Sequence, residues 1–130
     1  MSLEIIETAR VLKNSTVVCL ARVLDDEGAV LAAASIESIT CEVFDLSDPD
    51  SGPTYTENVG VDDSIHATLQ TDDRWEADTT GYNFAHTLMP YVLSSVTTYQ
   101  VEYRFTLNNG RDFFVAYKLI VIPTFTTVGS

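Results

Sequence analysis

Basic residues are scarce in this chain of 130 residues, which has seven lysines and arginines against nineteen aspartates and glutamates. The formal net charge of −12 repels phosphate backbones and anionic lipids, so it argues against binding to nucleic acid or to a membrane surface. The acidity is concentrated, because residues 25–98 hold fifteen of the acidic side chains and a single basic one, Arg74. A solvated acidic surface is the simplest interpretation of this pattern.

Long apolar runs are absent as well. None approaches the roughly 20 residues that a membrane-spanning helix needs. The N-terminal residues Met1-Ser2-Leu3-Glu4 lack the basic-then-apolar order of a secretory signal. No signal peptide or transmembrane segment is therefore visible in the sequence, and the localisation stays open, because a signal that had been removed would leave no trace.

Cysteine is limited to Cys19 and Cys41. Both occupy apolar-facing positions of predicted strands, where a reduced thiol behaves as a small buried hydrophobic group. A disulfide between them is the alternative if the protein matures in an oxidising compartment. A metal site built on two cysteines would lack its other ligands.

Catalytic motifs are missing too. The chain has no glycine-rich phosphate loop, no G-x-S-x-G sequence and no H-E-x-x-H sequence. Its two histidines, His66 and His86, have no adjacent residue that marks a nucleophile. We therefore expect a protein without enzymatic activity and without a cofactor.

The clearest pattern present is a β-hairpin over residues 99–122. Apolar and polar side chains alternate on both sides of the turn Asn108-Asn109-Gly110. A two-residue loop would place Phe105 opposite Phe114, whereas a three-residue loop places it opposite Phe113. We prefer the second register, because it keeps one face apolar and puts Gly110 where a left-handed residue is needed.

Other alternating stretches follow one another along the chain, separated by turn signals at intervals of about 8–12 residues. Residues 4–12 predict an edge strand, and residues 16–24, apolar on both faces, predict a central one. An acidic loop is expected over residues 47–58 and a flexible C-terminal tail over residues 124–130. Residues 1–130 thus predict a single all-β domain, an antiparallel two-sheet sandwich of roughly seven to nine strands.

The acidic loop offers weak candidates for a calcium site. Asp45, Asp48 and Asp50 carry carboxylates, which are the oxygen ligands that calcium prefers. The pattern lacks the regular third ligand and the closing glutamate of an EF-hand loop. The alternative is that Asp, Pro, Ser and Gly are here simply the residues that form turns.

The last strand predicts an interface. In the preferred register, the face opposite the core carries apolar side chains that water would solvate poorly: Phe114, Ala116, Ile120 and Ile122. Phe125 in the tail adds a further apolar group. Either another layer of the same chain covers this face, or a neighbouring subunit does.

A short segment resembles the tyrosine corner of immunoglobulin domains. Trp75 precedes an Asp-x-x-x-Tyr-x-Phe sequence formed by Asp78, Tyr82 and Phe84, in which the phenylalanine stands in place of the usual cysteine. The resemblance implies an immunoglobulin-like β-sandwich in which a tyrosine hydroxyl fastens a loop.

Over most of its length, the chain resembles small β-sandwich proteins associated with phage structural gene clusters. The order of residues 12–45, then 74–86, then the closing hairpin carries this resemblance. It implies a virion protein, such as a capsid decoration, neck or tail component, that assembles with itself or with other structural proteins. The alternative is an extracellular or cell-surface adhesion module that uses its acidic loops for calcium or another ligand.

Overall fold

The computed structural model describes residues 3–25, 27–75 and 79–123, with the side chains from Thr8 onward except that of Pro49. The described residues form eight strands: β1 (Leu3–Leu12), β2 (Val17–Ala21), β3 (Ile36–Asp45), β4 (Tyr55–Val59), β5 (Ile65–Gln70), β6 (Tyr82–Leu88), β7 (Thr98–Leu107) and β8 (Asp112–Ile122). A single helical turn, α1 (Val61–Ser64), joins β4 to β5, and 3-10 turns occupy three connections: Ala33–Ser35, Pro49–Ser51 and Pro90–Leu93.

The strands form two sheets. The larger has the order β1-β8-β7-β3-β4 and the smaller the order β2-β6-β5. If β4 is lettered C′, so that β5 is D, β6 is E, β7 is F and β8 is G, these sheets have the GFC and BED strand groupings of an immunoglobulin-like sandwich. The predicted all-β, two-sheet fold is therefore confirmed.

One edge departs from the antiparallel pairing that the sequence predicts, because β1 runs parallel to β8. Leu3 lies beside Phe114 and Leu12 beside Ile122. Alternation along a sequence fixes which side chains share a face, but it says nothing about the direction of a distant neighbour. The predicted edge position of the first strand is correct, since β1 borders the larger sheet.

The closing hairpin adopts the three-residue loop. Phe105 pairs with Phe113, as the preferred register predicted. The Leu107 N–H donates to the Arg111 carbonyl over 2.8 Å, and Gly110 sits in the loop at φ 85°. A glycine is favoured there because a left-handed backbone costs it nothing in sterics.

The core lies between the sheets and is rich in aromatic rings. Phe105 stacks on Phe113 with centroids 4.7 Å apart and meets Phe84 of the opposite sheet edge-on at 5.2 Å. Cys19 and Cys41 are both buried and are not joined in a disulfide, so they pack as thiols. Rings from both sheets interdigitate, and the two layers share one core.

β2 corrects the expectation of a central strand. It borders the smaller sheet and pairs on one side only, with β6. The Tyr117 hydroxyl reaches across from β8 and donates to the Leu20 carbonyl over 2.6 Å. Apolar residues on both faces of β2 thus reflect contacts around an edge rather than a strand on each side.

The acidic loop is shorter than residues 47–58, because β4 begins at Tyr55 and occupies the last third of this range. Tyr55 pairs with Val43 and Val59 with Ile39. The turn-forming sequence ends at Pro53. Apolar and polar residues alternate only weakly after it, because the outward face of β4 is polar, so the strand could not be recognised from the sequence. The predicted tail over residues 124–130 lies outside the described residues.

Candidate functional site

The predicted interface residues lie on the outer face of the larger sheet. Phe114, Ile120 and Ile122 are half-buried, and Ala116 between them is fully buried. Part of their cover comes from the same chain, because β1 and β7 flank β8 on either side. Phe125 lies outside the described residues.

Beyond these half-buried residues, three large apolar side chains are exposed at the same end of the sandwich. The exposed fractions are 49% for Leu12, 36% for Leu46 and 53% for Val96. We call the group they form with two β8 residues the end patch: Leu12, Leu46, Val96, Ile120 and Ile122.

Strand register brings the end patch together. Leu12 at the end of β1 pairs with Ile122. The Leu46 N–H donates to the carbonyl of Thr98, the residue that pairs with Ile120. Val96 directly precedes Thr97, whose carbonyl accepts from the Val121 N–H. Four separate segments thus converge on one surface.

The sequence predicts the β8 residues of the end patch as an interface, but it does not predict the other three residues. Leu12, Leu46 and Val96 each stand near the end of a different segment, and isolated exposed apolar residues are ordinary in any sequence. Only the parallel pairing of β1 with β8 and the return of β3 beside β7 make them neighbours.

The candidate corner residues fasten a loop of the smaller sheet. The Tyr82 hydroxyl donates to Asp72 over 2.6 Å, and the Arg74 guanidinium donates to the Tyr82 oxygen over 2.5 Å. The Trp75 ring lies 5.7 Å from the Tyr82 ring. Hydrogen bonds from Arg74 and Tyr82 lower the pKa of Asp72 to about 2.

This arrangement differs from an immunoglobulin corner in its position. In immunoglobulin domains, the corner tyrosine stands near the start of strand F, which corresponds to β7 here, and bonds to upstream backbone. Tyr82 instead begins β6, the E-type strand, and bonds to side chains. Phe84 packs in the core, where it meets Phe105. Asp78 lies outside the described residues.

The calcium candidates do not converge. Asp45 Oδ1 accepts from the Ser47 N–H, the Ser47 hydroxyl and the Thr97 hydroxyl, at 2.7–2.9 Å. The bonds from Ser47 are the main reason that the pKa of Asp45 is lowered. Asp48 and Asp50 are exposed in the following turn. Among the described residues, no three His, Cys, Asp or Glu side chains are grouped so that they could hold a metal ion.

A second feature is a polar cleft between β4 and β6, with a volume of about 380 Å³. His86 on β6 contacts the Tyr103 hydroxyl through Nδ1 at 2.8 Å and Glu57 Oε2 through Nε2 at 3.2 Å. The Tyr55 hydroxyl donates to the other carboxylate oxygen of Glu57 over 2.5 Å. A hydrogen-bonded chain therefore runs from the buried Tyr103 to the rim.

The pKa values along this series of hydrogen-bonded side chains depend on how deeply each group is buried. Burial raises the pKa of Tyr103 well above its usual range and raises that of Cys41 to about 12, so both stay protonated near neutral pH. Burial also acts to raise the pKa of Glu57, but hydrogen bonds from Tyr55 and His86 outweigh it and hold that pKa below its ordinary value. Glu57 therefore presents an anionic carboxylate at the rim of the cleft.

A larger open cleft of about 1100 Å³ lies at the other end of the sandwich, beside the β7–β8 turn. Arg22 and Arg111 line it together with Asp25 and Asp112, so its charges balance. The two clefts thus differ in electrostatic character.

No protein-family model matches the chain, and no curated protein has a significantly similar sequence. Within the described residues, no helix is long and apolar enough to cross a bilayer. The surfaces described above are therefore the features of this protein that bear on its function.

Proposed function

We propose that this protein is a non-enzymatic structural component that works through protein–protein contacts, as a subunit of a phage-like particle. The end patch is the observation that supports this proposal. The resemblance of the segment order to phage-associated sandwiches supports a place in a virion, as a capsid decoration, neck or tail protein.

The end patch has the composition of an association surface. Leu12 and Val96 each leave about half of their surface in water, next to the half-buried Ile120 and Ile122. Burying such side chains against another subunit would contribute several kcal/mol at roughly 25 cal/mol per Å². Exposed apolar groups gathered at one end of a domain are typical of an interface between subunits.

Net charge opposes self-association, which makes the apolar contact more informative. Two copies that each carry a formal charge of −12 repel one another, and added salt screens this repulsion. A contact driven by the end patch should therefore strengthen as ionic strength rises. An association based on ion pairs would weaken.

Size-exclusion chromatography with light scattering tests the proposal. We expect an oligomer that is more populated at high salt, and we expect the double variant Leu12→Glu with Val96→Glu to be monomeric. The matched control is Leu24→Glu at the opposite end, where the side chain is 42% exposed. This control should leave the oligomer intact.

A monomer at the highest soluble concentration, at both low and high salt, would contradict self-assembly through the end patch. Equal loss of the oligomer in the Leu24→Glu variant would contradict the location. The placement in a particle has its own test, because genes for capsid, portal or tail proteins should lie beside the gene for this chain.

A further inference from the structure

The smaller sheet leaves half of its central strand without a partner on one side. β5 pairs with β6 at two positions, Ile65 with Phe84 and Gln70 with Tyr82. β2 pairs along the opposite side of β6 as far as Leu88. Within the described residues, no strand therefore lies against the β5 side of residues 85–88.

The polar cleft opens directly beside this unpaired segment. Ala85, His86 and Thr87 form one wall, and the opposite wall belongs to β4, the edge strand of the other sheet. The chain between them turns through α1, whose Ser64 hydroxyl donates to the Gly60 carbonyl over 2.8 Å. α1 thus diverts the chain at the point where a longer β5 would continue along β6.

Side chains at the mouth of the cleft suit an extended peptide. Tyr91 is 65% exposed and meets the Tyr55 ring edge-on at 6.0 Å, and Met89 beside it is 49% exposed. Both residues line the cleft. Aromatic and methionine side chains of this kind bury alternate residues of a bound strand, while main-chain hydrogen bonds hold its backbone.

The charge of the cleft indicates which peptide fits. Glu57 and Asp63 line it, and its lining residues include no lysine or arginine. The Asp63 side chain is exposed and that of Glu57 is 37% exposed, so both carboxylates reach solvent. The larger cleft at the other end carries two arginines and two aspartates, so the acidic character is a property of this cleft.

We propose that this cleft binds an extended, lysine- or arginine-bearing segment of another protein, which adds to β6 at residues 85–88 as a short strand. The backbone of the segment pairs with the free side of β6. Its basic side chains meet Glu57 and Asp63, and its apolar side chains meet Tyr91 and Met89. This site is separate from the end patch, so the two proposals fail independently.

An NMR titration of the ¹⁵N-labelled protein tests the proposal, with the blocked peptide Thr-Lys-Val-Lys-Thr as the probe. We expect amide shifts concentrated at residues 85–88 and slower hydrogen exchange there. The peptide Thr-Glu-Val-Glu-Thr should not bind. The double variant Glu57→Gln with Asp63→Asn should weaken binding of the lysine peptide by about tenfold, because it removes two attractive charges.

Matched controls separate a local effect from a general one. Glu37→Gln with Asp50→Asn removes two exposed carboxylates elsewhere and should leave the affinity unchanged. Asp63→Asn alone, at an exposed position, keeps the Glu57–His86 contact and should weaken binding by a smaller factor. This single variant retains a test if the double variant folds poorly.

Three results would overturn the proposal. The first is no shift up to millimolar peptide, and the second is equal binding of the lysine and glutamate peptides. The third is a concentration-dependent shift of the same amides without peptide, which would identify a second copy of this chain as the occupant.

Discussion

The two sheets of this sandwich are built differently. In the larger sheet, β3, β7 and β8 pair along almost their whole lengths, and backbone ladders supply the hydrogen bonds. In the smaller sheet, the strands are short, and the β5–β6 pairing is irregular between its two registered positions. In the smaller sheet, side-chain hydrogen bonds take over where the backbone pairing between strands ends.

Asn83 shows how this completion works. Its amide oxygen accepts from the Val23 N–H over 2.7 Å, and its amide nitrogen donates to the Val23 carbonyl over 3.0 Å. One buried side chain thus replaces a ladder pair just after β2 ends. Tyr82 and Asp72 fasten the loop at the same end of β6 in a similar way.

This difference in construction suits the two sheets to different kinds of contact. A sheet whose strands are joined by continuous backbone hydrogen bonds is stiff and exposes the side chains on its outer face, as the larger sheet does around the end patch. A sheet completed by single side chains leaves backbone free between them, as the smaller sheet does along β6. The first suits contact between rigid subunits, and the second suits capture of an extended segment.

Core truncation gives the largest expected effect and tests whether the two sheets share one core. Phe84 on β6 and Phe105 on β7 are both fully buried and touch each other. Each change to alanine should lower the free energy of unfolding by about 4 kcal/mol in urea denaturation. A cost for Phe84→Ala near that of an exposed control such as Leu24→Ala would contradict a core shared by the two sheets.

Loss of the Asn83 amide should rank second. Asn83→Ala leaves the buried Val23 N–H without its partner and removes one of the two hydrogen bonds to the Val23 carbonyl, so we expect a loss of about 3 kcal/mol of stability. Asn58→Ala, at an exposed position of β4 in the larger sheet, is the matched control and should cost less than about 0.5 kcal/mol. Similar costs for both would contradict the role given to Asn83.

Gly110 in the larger sheet and Gly81 beside the smaller sheet should differ in how well they tolerate a side chain. Gly110 (φ 85°) has open space where a Cβ would stand, whereas a Cβ on Gly81 (φ 107°) would lie 2.5 Å from the Gln70 carbonyl oxygen. Gly110→Ala should cost about 1 kcal/mol through its backbone conformation alone. Gly81→Ala adds overlap with backbone and should cost about 2 kcal/mol more, measured by urea denaturation. Equal costs would mean that the smaller sheet yields easily at this point.

The larger sheet was the more predictable of the two from sequence. Its hairpin register follows from local information, since Phe105, Phe113 and Gly110 lie within ten residues of one another. The parallel β1, the edge position of β2 and the end patch depend on distant pairings, which alternation does not encode. The sequence places Glu57 in a predicted loop and shows no hydrogen-bond partner for His86, so the cleft could not be predicted from the sequence.

Acid titration should give the smallest effect, confined to the loop of the smaller sheet. The pKa of Asp72 is lowered to about 2, so its bonds to Arg74 and Tyr82 stabilise the fold fully above the unfolded-state value of about 4. This contribution is lost as the pH falls from there through the folded-state pKa. Because Asp72 is exposed, we expect the loop to loosen before the sandwich unfolds.

The single tryptophan makes this loosening measurable. Trp75 lies against Tyr82, so its fluorescence should change in a transition near pH 2 while the far-UV signal of the strands persists. Asp72→Asn should abolish that transition. The pKa of Asp112 in the larger sheet is also lowered by its hydrogen bond from Arg104, and Asp112→Asn, which leaves the Asp72–Arg74–Tyr82 bonds intact, should leave the transition in place. An Asp72 carboxyl that titrates at its ordinary value by NMR would show that side-chain bonds do not hold this end of the smaller sheet.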